Sequence, residues 1–129
     1  MLDHVRVMAT DIARSRAFYE RILEPLGYRV WHEPAPGLVG LGPGTAREEP
    51  LATFWLREGE APSSGTLVSF TVDTRELVER FHENALAAGG ADGGGPATRP
   101  FHAHYYSAYV IDPDGVTLEV VCHRPADGA

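Results

Sequence analysis

Two stretches decide how this chain is read: His4–Gly27, "HVRVMATDIARSRAFYERILEPLG", and Leu67–Gly90, "LVSFTVDTRELVERFHENALAAGG". In the first, Val5, Val7 and Ala9 alternate with His4, Arg6 and Met8, the period-two pattern of a strand with one buried face. Asp11 is an N-cap, Ala13, Phe18, Ile22 and Leu26 follow at helical spacing, and Gly27 is the stop. The second stretch repeats the order. Val68, Phe70 and Val72 alternate with Leu67, Ser69 and Thr71, Asp73 or Thr74 caps, and Leu77, Phe81 and Leu86 make the stripe. Phe18 and Phe81, Leu23 and Leu86, and Gly27 and Gly90 are each 63 positions apart, so one unit is written twice.

Each helix is followed by strand-forming text. In the first half it covers Tyr28–Glu33, Leu38–Leu41 and Leu51–Arg57. In the second, "GADGGGPATRP" (90–100) reads as a glycine-rich loop, ahead of a hairpin made by "HYYSAYVI" and "VTLEVVCH" around Asp112-Pro113-Asp114-Gly115. Each half is therefore β-α-β-β-β, with "APSSG" (61–65) as the link. Neither half is large enough to bury both sides of its sheet alone. The expectation is one α+β domain over residues 1–124, with modules at about 1–60 and 66–124 forming an open cleft and 125–129 as a tail.

If each helix covers the apolar alternates, Glu119 lies on the other face of its strand, with Ser69, Leu67, Val121 and His123. Pairing Ile111 with Val116 across the turn adds His104 and Tyr106 to that face and sets Ala108 opposite Glu119. Such a face either meets solvent or walls a groove. Met8, Leu67 and Val121 argue for the groove.

Net charge is −7 and every basic residue is a scattered arginine, which excludes a nucleic-acid surface built on clustered positive charge. No apolar run is long enough to span a membrane, and the first residues do not read as a signal peptide. The lone Cys122, in an apolar strand, suits a buried thiol and a reducing cytoplasm. There is no G-x-S-x-G, P-loop or C-x-x-C, and Gly93-Gly94-Gly95 follows a helix rather than a strand.

With its opening "LDHVRVMATDIARSRAFY" and its close "SAYVIDPDGVTLEVV", the chain resembles the vicinal oxygen chelate superfamily of glyoxalases, bleomycin-resistance proteins and ring-cleaving dioxygenases, over about residues 2–124. The segment "RPFHAHYYSAYVIDPDGVTLEVVCH" is similar to a bacterial glyoxalase-like subgroup. The resemblance implies a divalent metal (Zn, Ni, Fe or Mn) held by four strands, with His4 and Glu119 at two ligand positions. At the other two stand Leu67 and an aromatic, Phe54 or Trp55, none of which coordinates a cation. His102 and His104 are the replacement donors within reach of the same hairpin.

Two functions follow from the resemblance. One is a metal-assisted lyase, isomerase or dioxygenase with a degenerate site, in which Glu119 is ligand or catalytic base and Arg6, Ser69, His104 and Tyr106 touch substrate. The other is a metal-free protein that sequesters a flat small molecule against Phe54, Trp55, Tyr106 and Tyr109, with Leu67 in the wall. Both imply a small-molecule partner and a homodimer. Without a metal, burial alone would raise the Glu119 pKa. The sequence predicts no stoichiometric ion at the four positions.

Overall fold

A computed structural model describes residues 2–44, 52–60 and 65–126. The first module contains β1 (Val5–Ala9), α1 (Ile12–Leu23), a 3₁₀ turn (Glu24–Leu26), β2 (Tyr28–Ala35), β3 (Leu38–Pro43) and β4 (Phe54–Glu58). The second contains β5 (Leu67–Val72), α2 (Arg75–Ala87), β6 (Ala91–Thr98), β7 (Tyr106–Ile111) and β8 (Thr117–Cys122). Each makes a mixed four-stranded sheet, in the orders β1-β4-β3-β2 and β5-β8-β7-β6. The α+β pair of β-α-β-β-β modules expected from the duplication is the fold observed. Leu51 and most of the expected link, residues 61–64, lie outside the described residues.

Local chemistry sets the helix ends. The Asp11 carboxylate accepts from the Arg14 N–H at 3.1 Å, and the Thr74 hydroxyl accepts from the Leu77 N–H at 3.2 Å. Each satisfies a donor that the first helical turn leaves unpaired. Gly27, at φ 85°, takes the left-handed turn into β2.

The helix-facing sides of both sheets share one core. Phe54 of β4 meets Phe70 of β5 with ring centroids 5.6 Å apart, and Tyr19 of α1 packs on Phe54 at 4.8 Å. Val78, Phe81 and Ala85 are the buried stripe of α2, while Leu86, expected in that stripe, is 39% exposed. The buried positions are spaced three and four apart around Phe81, one helical face, with Leu77 partly buried at its margin. With the apolar faces turned toward one core, the opposite face of each sheet turns away from it.

Two expectations about the second module are corrected. The glycine-rich run is the edge strand β6, not a loop. An edge position tolerates Pro96, which lacks an N–H, and two register irregularities absorb the bends. The glycines leave room for Tyr109: a Cβ at Gly93 or Gly94 would stand 3.2 Å from it.

The hairpin register also differs. Ile111 pairs with Thr117, not Val116, so Tyr109 rather than Ala108 lies opposite Glu119. The Asp112 side chain is the cause. Its carboxylate accepts from the Asp114 N–H at 2.8 Å and the Val116 N–H at 2.9 Å, which draws Val116 into a five-residue turn. One added residue exchanges the faces of β7. Tyr109 and Ser107 join Glu119, while Tyr106, Ala108 and Val110 turn toward α2.

Candidate functional site

Glu119 is 4% exposed, on the face of β8 that points away from the core. Parallel pairing of β5 with β8 puts Ser69 beside it, and the Ser69 hydroxyl donates to Oε1 at 2.9 Å. The Tyr105 hydroxyl donates to Oε2 at 2.9 Å, and the side chains of Tyr109, directly opposite Glu119, and Ser107 lie on the same face and favour its charged form. Burial pushes the Glu119 pKa up, but the donors Tyr109, Ser69, Tyr105 and Ser107 together outweigh it and hold the group below the usual glutamate range. The raised pKa expected from burial alone is thereby corrected. The Tyr105 phenol is pushed up to about 12, by burial first and then by its bond to Glu119.

Arg99 supports this cage. It donates to the Ser107 hydroxyl at 3.3 Å, the Ser107 carbonyl at 3.1 Å and the Gly95 carbonyl at 2.7 Å, and its guanidinium lies over the Tyr109 ring at 5.1 Å. The loop from Pro100 to Tyr105 brings in the second tyrosine. His102 Nε2 and His123 Nδ1 are 2.8 Å apart, and Tyr105 packs edge-on against Phe101 and His123.

The polar face of the first module is built differently. His4 is exposed, with Nδ1 2.6 Å from the Asp3 carboxylate. It lines a pocket of about 450 Å³ with Arg6, His32, Leu38 and Trp55. His4 and Ser69 also line a smaller recess of about 280 Å³ where the modules meet, beside Tyr28 and Phe70.

Against the residues singled out from sequence, the structure brings Ser69 to Glu119 and sets Arg6, His4 and Trp55 together on the other module. Leu67, on the Glu119 side of β5, is 51% exposed and pairs with Thr117. Three placements are corrected. Tyr106 faces α2, where its hydroxyl donates to Glu79 at 3.1 Å and Arg75 covers its ring. His104 is exposed, and its N–H donates to His102 Nδ1 rather than its ring reaching Glu119. Phe54 is a core residue, 1% exposed, rather than an open stacking surface. His82 is 12% exposed at its side chain and bonds to Asp92 at 3.0 Å. Tyr105, Ser107 and Arg99 complete the Glu119 site; the assumed hairpin register hid Ser107 and the role of Tyr109.

These donors do not fit a divalent ion. Among the described residues no three His, Cys, Asp or Glu side chains are grouped to hold one. Both oxygens of the Glu119 carboxylate are already engaged, Oε1 by the Ser69 hydroxyl and Oε2 by the Tyr105 hydroxyl. Such ions need four or more donors.

Paired β-α-β-β-β modules, with a buried carboxylate on the outer face of the last strand, define a class of small two-module proteins. The family model of the Glyoxalase/Bleomycin resistance protein/Dioxygenase superfamily matches residues 1–120, and the chain belongs to that superfamily. Solved structures agree on the fold. A glyoxalase/bleomycin resistance protein from Albidiferax ferrireducens T118 is 25% identical, with a TM-score of 0.72 over 95% of this chain and 97% of that one. A glyoxalase/bleomycin resistance protein/dioxygenase family enzyme from Burkholderia phytofirmans PsJN is 21% identical, with a TM-score of 0.74 over 95% and 98%. A glyoxalase-related enzyme from Fulvimarina pelagi is 17% identical, with a TM-score of 0.72 over 95% and 87%. No curated protein matches the chain.

Proposed function

We propose that this superfamily member binds an organic small molecule against the polar faces of its sheets and does so without a metal at the family's ligand positions. The observation that carries the reading is the state of Glu119, bonded at both oxygens by the hydroxyls of Ser69 and Tyr105, with Tyr109 and Ser107 on the same face, and held below the usual glutamate range. A carboxylate so engaged is a weak base near neutrality, with both oxygens already in hydrogen bonds. It acts as an anchor that orients the hydroxyls around it, while the open pocket lined by His4, Arg6 and Trp55 is where a ligand fits. Sequestration is favoured over lyase, isomerase or dioxygenase chemistry on that ground.

Metal content of protein purified without chelator, and again after incubation with zinc, nickel, manganese or ferrous ion, tests this. The expected result is no stoichiometric ion in either sample. One tightly held ion per chain, lost in Glu119→Gln, would overturn the reading.

The same proposal includes a homodimer. Because the two apolar sheet faces share one core, the polar faces point outward, and a second copy supplies the opposing wall of a cleft. Sedimentation showing only monomer at micromolar concentration would count against it. A cytoplasmic setting suits the buried free thiol of Cys122, and no helix among the described residues is long and apolar enough to cross a membrane.

A further inference from the structure

The first module carries an arrangement that plays no part in the Glu119 cage. Strand pairing aligns His32 with Gly40, Gly40 with Trp55, and Trp55 with Arg6, so one row crosses three strand pairs of the polar face. Within that row the glycine makes room for the tryptophan. A Cβ on Gly40 would stand 2.7 Å from Trp55 Cη2 and 2.8 Å from Cζ3, distances that real Cβ atoms do not show. The indole thus lies across Gly40, in space that any other residue would fill. Its Nε1–H donates to the Ala52 carbonyl at 3.2 Å, which fixes the ring, and the His32 ring is within 12° of parallel to it at a centroid distance of 6.2 Å. A half-buried tryptophan laid flat on a sheet is a platform for a planar group.

Charge completes the row. Arg6 is exposed and lines the same pocket, and among the described residues no ion pair or hydrogen bond holds its guanidinium. The one carboxylate among the described residues lining that pocket, Asp3, is bonded to His4. The chain as a whole carries net charge −7, so an anion is repelled at long range and its capture depends on this local cation. The pocket volume, about 450 Å³, is within the range of small-molecule pockets and admits a one- or two-ring organic molecule.

We infer that the pocket over Gly40 takes a planar aromatic anion, its ring on Trp55 and its acidic group on Arg6. This deepens the small-molecule reading above and rests on it. Every residue of the row then contributes to binding. Gly40 admits the platform, Trp55 stacks, His32 extends the wall, and Arg6 selects charge through a charge-assisted hydrogen bond.

Titration calorimetry with three probes tests it: 2-naphthoate, its neutral isostere naphthalene-2-carboxamide, and the non-planar anion cyclohexanecarboxylate. Naphthoate should bind at least about tenfold tighter than the carboxamide, the difference expected for one charge-assisted bond. It should also bind about fivefold or more tighter than cyclohexanecarboxylate, from stacking. Arg6→Gln should remove the preference for naphthoate over the carboxamide, and Trp55→Leu the preference for the flat ring. Arg29→Gln, in a different pocket beside α1, should leave both unchanged. Melting curves establish that each variant is folded. No naphthoate binding at millimolar concentration, equal binding of naphthoate and carboxamide, or an Arg6→Gln variant with the preference intact would overturn the inference. The metal-free reading is judged separately, by metal content, and survives any of those results.

Discussion

The two modules repeat one fold and finish it in opposite ways. On the first, the polar face is open: Arg6 and His4 are exposed and an aromatic ring lies flat between strands. On the second, the polar face is closed around Glu119, whose carboxylate is met by the hydroxyls of Ser69 and Tyr105. The matched positions show how few residues make the difference. Arg6 pairs with Trp55 across β1 and β4, and Ser69 pairs with Glu119 across β5 and β8. A large cation beside a flat ring leaves a pocket, whereas a small hydroxyl beside a carboxylate makes a sealed pair. Duplication supplied two equal scaffolds, and side-chain chemistry on one face separated their roles.

The largest way to disturb this contrast is through the turn that locks the second module to the first. Asp112, 4% exposed, accepts from the Asp114 and Val116 N–H groups and from the Tyr19 hydroxyl of α1 at 2.5 Å. Asp114 adds bonds to Thr10, Arg14 and Ser15 of the first module. Asp112→Ala leaves buried donors unpaired and should lower unfolding free energy by about 3 kcal/mol in urea titration. It also frees the hairpin to shift by one residue, which would carry Tyr109 off the Glu119 face. A loss below about 0.5 kcal/mol would mean that the turn does not set the register.

Next in size is the carboxylate itself. Glu119→Ala strands the Ser69 and Tyr105 hydroxyls and should cost about 2 kcal/mol, while Arg6→Ala on the open face should change stability by less than about 0.5 kcal/mol. Equal effects would erase the distinction between the faces. Smaller again is Tyr105→Phe, which removes one donor and leaves that of Ser69. It should cost about 1 kcal/mol and move the Glu119 pKa upward, measurable by the carboxyl carbon chemical shift against pH.

Much of this was legible from the chain, and the limits are physical. The modules could be read because alternation and helical spacing are properties of the residues themselves. Glu119 could be singled out because a carboxylate in an apolar strand conflicts with its neighbours. Its cage could not, because its membership depends on hairpin register, and register depends on Asp112 bonding two N–H groups of its own turn. β6 was missed for a related reason: Gly93 and Gly94 have poor strand propensity, yet the strand needs them so that Tyr109 can pack there. The Trp55 platform needed a cross-strand neighbour, Gly40, 15 positions away.

The last prediction has no effect at neutral pH and separates the faces only at the extremes. Glu119 is held below the usual glutamate range in the folded chain, so its contribution to stability is complete above the unfolded value, about 4.3, and is lost as pH falls through the lower folded value. Tyr105 runs the other way: its folded pKa is raised to about 12, so its contribution is complete below the unfolded phenol value and is lost as pH rises through the folded one. Urea midpoints measured across pH should therefore fall on both sides. Glu119→Gln should reduce the acid slope by removing the carboxylate's titration, leaving the share of Asp92, and Tyr105→Phe should reduce the alkaline slope, leaving the share of the raised phenols of Tyr19, Tyr106 and Tyr109. Arg6→Gln, on the open face, should leave both slopes as they are. If the acid slope is undiminished in Glu119→Gln, other carboxylates carry it and the cage is not the seat of the pH response.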